Sequence, residues 1–490
     1  MEKGGRCGPQ KITPISDLAK SFPNTELHDC YEGACANGCS VTGTADSGAL
    51  PDLRPPHDMV WIARRLIDAG FDTWTVGGAV RDALAGGHPK DWDLATAARP
   101  GDMRRLFKRT VPVGVEHGTV GILGRDGVMY EATTFRRDVE TDGRHARVTF
   151  ADRVEEDLQR RDFTINAVAW HPLTHELRDP HGGVPDLRAG VLRTVGDPAE
   201  RFREDRLRVL RALRFAGRFG MRIDAATWEA ARACAPELVH LSAERVREEL
   251  LKVLRQVDPP SVALRMYQEC GVLRVLLPEL EACVGVPNGA GDEDVWTHTL
   301  RVVDAISPAR AGLRMAALLH DAGKPRTRTE RGGFPDHAAA GAATADAVMR
   351  RLKFSNAEID SAVHLVAQHE AAPRADVPDP VLRRWLRRIG PRYLPDVVRL
   401  RIADLRAYDA DEDARRDTAA LWRRARAEVR RRTPLEIGDL AIGGTELRQL
   451  GLPPGRLYGE ILRDLLERVT DDPSLNERDT LLGMVARRIS

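Results

Sequence analysis

No run of about 18 apolar residues occurs in the 490-residue chain, so no segment reads as a membrane-spanning helix. The opening stretch MEKGGRCGPQKITPISDLAK has no apolar core of the kind a secretory signal needs. A cytoplasmic protein with no membrane partner is the expectation. Aromatic side chains fill only 5% of positions, too few for single-strand binding built on stacking platforms. Lysine is scarce as well, with 8 residues against 66 arginines, and neither sign of charge prevails: 74 basic residues face 73 acidic ones. That balance excludes a protein that holds nucleic acid by bulk positive charge. Of the seven cysteines, Cys7, Cys30, Cys35 and Cys39 crowd the start of the chain, and no ligand set at zinc-like spacing follows them.

The length exceeds one ordinary domain. Residues 1–56, rich in Gly, Pro, Ser and Cys without a hydrophobic period, read as a disordered extension. Residues 57–196 read as an α/β head, with strand-like runs at Trp74–Val76, Thr119–Leu123 and Val128–Thr134 among short helices. Beyond Pro198 helical spacing dominates: a neck over 197–290, in which Phe202–Phe219 reads as one helix, a helical domain over 291–432 and a tail over 433–490. The fold class expected is a small mixed sheet with helices followed by an all-α body.

Chemistry concentrates first in the head. Val76-Gly77-Gly78-Ala79-Val80-Arg81-Asp82 follows a short strand and opens a helix, and paired glycines let backbone amides approach a phosphate closely. Ten residues on, Asp91-Trp92-Asp93 places two carboxylates at i and i+2, which on a strand share a face and can hold the same hard cations. Two Mg2+ ions there would activate a 3′-hydroxyl and neutralise a leaving pyrophosphate. Glu131, in Met129–Thr134, is a candidate third carboxylate. In Arg160-Arg161-Asp162-Phe163-Thr164-Ile165-Asn166, Arg161 offers forked donors to phosphate and Asp162 an acceptor for a ribose hydroxyl, with Asn166 beside them.

Asp205 and Arg208, three apart in Glu204-Asp205-Arg206-Leu207-Arg208 with Arg211 one turn on, are expected on one helix face. Cytosine and adenine both pair an exocyclic amine with a ring-nitrogen acceptor, so an accepting aspartate beside a donating arginine matches both. Guanine and uracil reverse that order. Taken singly, a Gly-Gly turn is often only a turn, and E-D-x-x-R is often a surface salt bridge; their order along one chain is what gives them weight.

In that order, GGAVRDALAGGHPKDWDLAT, YEATTFRRD, EEDLQRRDFTINAVAW, DPHGG and EDRLRVLRALRFAGRF resemble the class II tRNA nucleotidyltransferases of the polymerase-β-like superfamily. The resemblance implies untemplated addition of CCA to the tRNA 3′ end from CTP and ATP. By motif it makes Asp91 and Asp93 the Mg2+ ligands, and Gly77, Gly78, Arg81, Asp82, Arg161, Asp162, Asn166, Asp205, Arg208 and Arg211 the nucleotide-binding set. Bacterial poly(A) polymerases share these motifs, and some relatives add only CC or only A. Val113–Val120 resembles the tRNA enzymes, and the loop Arg136–His145 keeps an Asp-Gly-Arg element associated with the switch from C to A.

Farther on, His298, His320-Asp321 and Asp404 form a second constellation, in which imidazoles and carboxylates on converging helices suit a divalent metal. HTLRVVDAI, LRMAALLHDAGKP and LRIADLRAYDA resemble the HD phosphohydrolases, with ligand order H…HD…D. This implies a site for Mn2+, Ni2+ or Mg2+, with His337 and His369 as additional ligands, and a phosphomonoesterase or 2′,3′-cyclic phosphodiesterase activity. A protein whose principal activity is the HD phosphohydrolase, carrying a head that only binds RNA, is the reading from another class. Arg374–Arg432, with 17 arginines against 10 acids, is the expected surface for tRNA phosphates. The oligomeric state is left open.

Overall fold

The computed structural model describes residues 53–89, 91–114, 118–141, 146–289, 293–408 and 412–489. The cysteine-bearing extension, Val115-Glu116-His117 and Asp142-Gly143-Arg144-His145 therefore lie outside the described residues. Among those described, no helix is long and apolar enough to cross a membrane. The chain divides into two compact units. One holds residues 48–367 with 406–408; the other holds 368–405 and 409–490.

The first unit begins with the α/β head. Its strands are β1 (Thr73–Val76), β2 (Asp93–Thr96), β3 (Thr110–Gly114), β4 (Thr119–Leu123), β5 (Met129–Thr134), β6 (Arg136–Thr141), β7 (Ala146–Phe150), β8 (Ala169–Trp170) and β9 (Leu177–Arg178). Seven form a mixed sheet in the order β3-β4-β5-β2-β1-β8-β9, and β6 and β7 pair as a separate hairpin. Within this seven-stranded sheet only β2 and β5 run parallel, with Leu94 beside Ala132 and Ala95 beside Thr133. The edge strand β3 carries Pro112, which offers no amide to a further strand, and its pairing with β4 is irregular between Pro112 and Gly114.

Strand alternation sorts the side chains between two faces. Leu94, Val120, Ile122, Tyr130 and Ala132 point to one face and pack against Met59, Ile62, Ala63 and Leu66 of the helix His57–Asp68, with Leu53 in the same cluster. On the opposite face Trp74, Val76 and Ala95 are covered by Val154 and Leu158 of the helix Val154–Gln159. That cover lies over β1 and β2; among the described residues Val111, Val113 and Met129, on the β5-β4-β3 part of the second face, stay exposed.

The chain then turns helical. Strand-like periodicity stops at the neck, and Leu207–Phe219 and Ala243–Gln256 carry apolar stripes that bury Leu210, Leu213, Leu250 and Val253. Phe202–Phe219 is not one helix. Pro198–Glu204 ends where Asp205 adopts an extended conformation, and a new helix begins at Leu207. The Asp205 carboxylate accepts from the Leu207 amide at 3.1 Å, which caps the second helix and fixes the break. Cys270 and Cys283 are buried and Cys234 is half-buried; burial pushes the first two thiols up to about 12, as befits inert core residues.

In the second unit Leu447, Ile461, Leu465, Val469 and Leu481 form an apolar core. The arginine-rich stretch does structural service there. Arg383 donates to Glu428 at 2.8 Å and to the Thr470 carbonyl at 3.1 Å, Arg387 pairs with Glu467 at 2.9 Å, and Arg424 meets Asp379 at 2.5 Å. Arg423, Arg430, Arg431 and Arg432 remain exposed. For the head core, Ile62→Ala removes a fully buried side chain, and denaturant unfolding is expected to show a loss of about 2–5 kcal/mol. A loss under about 1 kcal/mol would mean that the helix His57–Asp68 is not part of the cooperative core.

Candidate active site

Asp91, Trp92, Asp93 and Leu94 run exposed, buried, exposed, buried. Trp92 is anchored in the core and donates its indole N–H to the Pro89 carbonyl at 3.1 Å, so the two aspartates are held on the same outer face. Glu131 lies one step before the Leu94–Ala132 pair on the neighbouring parallel strand, beside Asp93. The protein packed around Asp93, with the adjacent Glu131 and Asp91 carboxylates, raises its pKa to about 6 against the pull of Arg161. Asp93 with two further carboxylates near enough to oppose its ionisation is a donor set that fits a divalent cation.

Immediately beside them opens a cleft of about 300 Å³ lined by Gly77, Gly78, Arg81, Arg161, Asp162, Asn166, Arg211, Arg214, Phe215, Arg218, Lys252 and Gln256. Gly77 has φ 77°, a conformation that demands glycine, and a Cβ there would lie 2.9 Å from Arg161 Nη1. Arg161 is aimed by Asp157, a buried carboxylate that binds Arg160 at 2.8 Å and Arg161 at 3.0 Å. Asp162 takes four hydrogen bonds: from the Phe163 amide and Asn166 Nδ2, each at 2.9 Å, and from Arg211 at 2.6 and 2.8 Å. Burial alone would raise its pKa, but Arg211 and Asn166 hold it below the usual carboxylate range. Asn166 in turn accepts from Arg81 at 2.6 Å, and Arg81 lies 4.5 Å from the Phe219 ring centroid.

Seven of the expected nucleotide-site residues thus share one cleft, and three do not line it. Asp82 stands behind Arg81, accepting from Arg81 Nε and Nη2 at 2.8 and 2.6 Å. Asp205 and Arg208 do not share a helix face, because the helix breaks at Asp205 to cap its successor. Asp205 is held by Arg245 at 2.8 Å, and Arg208 by Glu204 at 2.6 Å and by the Arg160 carbonyl at 3.1 Å.

The HD motif forms a second buried centre in the same unit. His320 Nε2 and His337 Nε2 lie 3.2 and 3.4 Å from the Asp321 carboxylate, and His298 Nε2 lies 3.7 Å from it. His320 Nδ1 is tied to the Ala317 carbonyl at 2.7 Å and His337 Nδ1 to the Phe334 carbonyl at 2.9 Å, which fixes both rings with Nε2 turned inward, as metal-binding imidazoles are fixed. Burial opposes a charge on Asp321, yet His320, His337 and Lys324 hold its pKa well below the usual range. Lys324 reaches Asp321 at 2.7 Å, Asn288 at 2.8 Å and the Tyr408 hydroxyl at 3.0 Å. Gly323 is required here, since a Cβ would fall on the His337 carbonyl and the Gly341 amide. Asp404, half-buried on the helix Leu394–Ala407, and His369, buried after the helix Asn356–Gln368, belong to the second compact unit.

Residues 73–193 match the poly A polymerase head domain, 220–284 the probable RNA and SrmB- binding site of polymerase A, and 295–409 the HD domain. The chain is 31% identical over 446 residues to a CCA-adding enzyme of Geobacillus thermodenitrificans, an alignment covering 89% of this chain and 98% of the relative. The chain belongs to the CCA-adding enzyme family. The Leuconostoc mesenteroides member is 46% identical over 197 residues, or 39% of this chain and 48% of the relative. In the alignments to this and an Anoxybacillus flavithermus CCA-adding enzyme, the chain spans about half the length of the relative. The crystal structure of the Bacillus stearothermophilus CCA-adding enzyme in complex with CTP superposes with a TM-score of 0.65 at 29% identity, covering 89% of this chain and 98% of that one.

Several side chains of this family member's cleft were not singled out from the sequence. Arg214 and Arg218 follow the already marked Arg211 at i+3 and i+7, a spacing that was there to be read as one helix face. Asp157 sits three and four residues before the two arginines it aims. Lys252 and Gln256 come from a separate helix, and nothing local in the sequence ties them to the cleft. A carboxylate with a raised folded pKa opposes folding once ionised: the penalty is full above about pH 6, falls as pH drops through that value, and vanishes below the unfolded value of 3.8. In metal-free buffer Asp93→Asn is therefore expected to be more stable than the parent at pH 8, by about 1 kcal/mol once solvent screening of this exposed group is allowed for, and equal to it near pH 3.5. Thermal unfolding at the two pH values checks this, and a variant less stable at pH 8 refutes the crowded-carboxylate geometry.

Proposed function

We propose that this chain completes tRNA 3′ ends by untemplated addition of CCA from CTP and ATP. The observation that carries this reading is that Arg161, in a cleft lined by arginines and paired glycines, acts on Asp93 of the Asp91–Asp93–Glu131 group, in a chain alignable with a CCA-adding enzyme over 89% of its length. In the reaction the acceptor's 3′-hydroxyl oxygen attacks the α-phosphorus of the nucleotide, a phosphodiester bond forms, the hydroxyl proton leaves to solvent or base, and pyrophosphate departs. Mg2+ bound by Asp91 and Asp93, with Glu131 as the third carboxylate, would supply charge neutralisation for both oxygens. Arg161 and Arg211 bind phosphate oxygens from fixed positions, because Asp157 and Asp162 have already oriented their guanidinium groups. Gly77 and Gly78 admit the triphosphate close to the backbone. Asp205 and Arg208 read the base edge, and doing so exchanges the ion pairs to Arg245 and Glu204 that they make in this structure. The exposed Arg423 and Arg430–Arg432 meet tRNA phosphates.

A second activity is part of the reading. His298, His320 and Asp321, with Asp404 completing the H…HD…D order and His337 and His369 as further ligands, would hold Mn2+, Ni2+ or Mg2+ for hydrolysis of a 2′,3′-cyclic phosphate that blocks addition. The inward Nε2 atoms of His320 and His337 around Asp321 are what the structure contributes to it.

Incubating the protein with tRNA lacking CCA, Mg2+ and labelled CTP and ATP is expected to give three additions that stop at CCA. A stop at CC, addition of A alone, or an open adenosine ladder would replace the reading with the corresponding relative. Asp91→Ala and Asp93→Ala are each expected to lower incorporation by about a thousandfold or more while sparing cyclic-phosphate hydrolysis. His320→Ala and Asp321→Ala are expected to do the reverse. Incorporation retained in both head variants would remove Asp91 and Asp93 from the mechanism.

A further inference from the structure

Glu131 is not at the end of its sheet face. Its partner across β4 is Gly121, and Gly121's partner across β3 is Val111, so a straight line across the strands leads from the carboxylates to the edge. The same parity places Val113 on β3, Thr119 on β4, and Met129 and Thr133 on β5 on this face, while their alternates Val120, Ile122, Tyr130 and Ala132 fill the core. The face therefore begins with Asp93 and Glu131, passes the Thr119–Thr133 hydroxyl pair at 3.0 Å, and ends in aliphatic side chains around Gly121. A Cβ on Gly121 would lie 2.7 Å from Met129 Sδ and 2.9 Å from Val113 Cγ2, so these two side chains close over the glycine.

Val111, Val113 and Met129 are 38%, 42% and 44% exposed, in a chain where only nine large apolar side chains among the described residues are exposed at all. Their concentration on the one sheet face that also carries the carboxylates asks for an occupant. The arrangement of the head supplies it. The nucleotide cleft opens on the β1 side, where Gly77, Gly78 and Arg161 stand, and Arg161 is near enough to Asp93 to lower its pKa. A transferase must bring its second substrate to the opposite side of the reacting centre, and on this sheet the opposite side is β4 and β3. The open platform is thus continuous with the carboxylates on the side the cleft does not use.

We propose that Val111, Val113 and Met129 form the seat of the acceptor RNA's single-stranded 3′ end, taking the faces of its last bases against aliphatic carbon and the Met129 thioether. This rests on the nucleotidyl-transfer reading and assigns positioning residues to it. A base face carries no hydrogen-bond code, so an aliphatic seat accepts each successive 3′ nucleotide, while the choice of incoming base is made elsewhere. Met129 lies two residues from Glu131, about 7 Å along the strand, which is the reach of one nucleotide.

Two measurements on the full chain decide the matter. In steady-state assays Val113→Ala/Met129→Ala is expected to raise KM for tRNA lacking CCA about fivefold to tenfold, as loss of apolar contact would, with KM for CTP within about twofold and the melting temperature unchanged. Met129→Glu, which sets a carboxylate against the RNA, is expected to exceed that effect. An unchanged KM for tRNA, or an equal rise in both KM values, overturns the proposal. The second measurement needs no turnover: p-benzoylphenylalanine incorporated at position 129 is irradiated with tRNA lacking CCA in magnesium-free buffer. Crosslinks mapping to the last two nucleotides support the seat, and crosslinks elsewhere on the RNA, or to a second copy of the chain, overturn it. Should the parent protein fail to incorporate nucleotides, the functional reading falls while the crosslink still decides whether RNA occupies this face.

Discussion

The carboxylate of Asp162 is where the head and the neck are joined into one cleft. It belongs to the head, yet two of its four hydrogen bonds go to Arg211 on the first long neck helix. Through Asn166 it also fixes Arg81, which rests on Phe219 at the far end of that helix. A charge this deeply buried is tolerated only because its partners saturate it. Removing the carboxylate would take from Arg211 the acid it is hydrogen-bonded to and leave the cleft walls without a common anchor. These two cleft cations are therefore positioned by buried acids, Asp162 for Arg211 and Asp157 for Arg161, and not by their own conformational preferences.

The two centres of the chain use opposite electrostatics. At Asp93 burial, with like charges crowded beside it, lifts a carboxylate to about 6 and leaves the group in need of positive charge. At Asp321 a single carboxylate is surrounded by imidazoles and Lys324 and pulled far down. The first arrangement favours a hard, readily exchanged cation near solvent; the second, dry and preorganised through backbone-tied histidines, favours a tightly held one.

How much of this could be read from the residues depends on range. That Asp91 and Asp93 flank a buried Trp92 was legible from their i, i+2 spacing, although β2 begins only at Asp93. The sheet-then-helix order followed from hydrophobic period. The continuous helix through Asp205 was misread because Glu-Asp-Arg-Leu-Arg has good helical propensity throughout, and the override is a side-chain cap at Leu207 that only the folded turn reveals. Lys252 and Lys324 were missed for another reason: each pairs with an acid only three residues before it, Glu249 and Asp321, but what draws the two pairs into their sites is remote, Arg214 on Glu249 in the one case and Asn288 and Tyr408 on Lys324 in the other.

Pro112 gives the head a safeguard. An edge strand flanked by exposed valines is the geometry from which intermolecular sheets grow, since its unpaired amides invite a foreign strand and its apolar side chains reward the union. The ring at position 112 deletes one donor from that edge, and the irregular pairing before Gly114 bends its register. The protein can thus leave a greasy surface uncovered beside its acidic centre while denying neighbouring polypeptides the backbone ladder they would need to polymerise upon it.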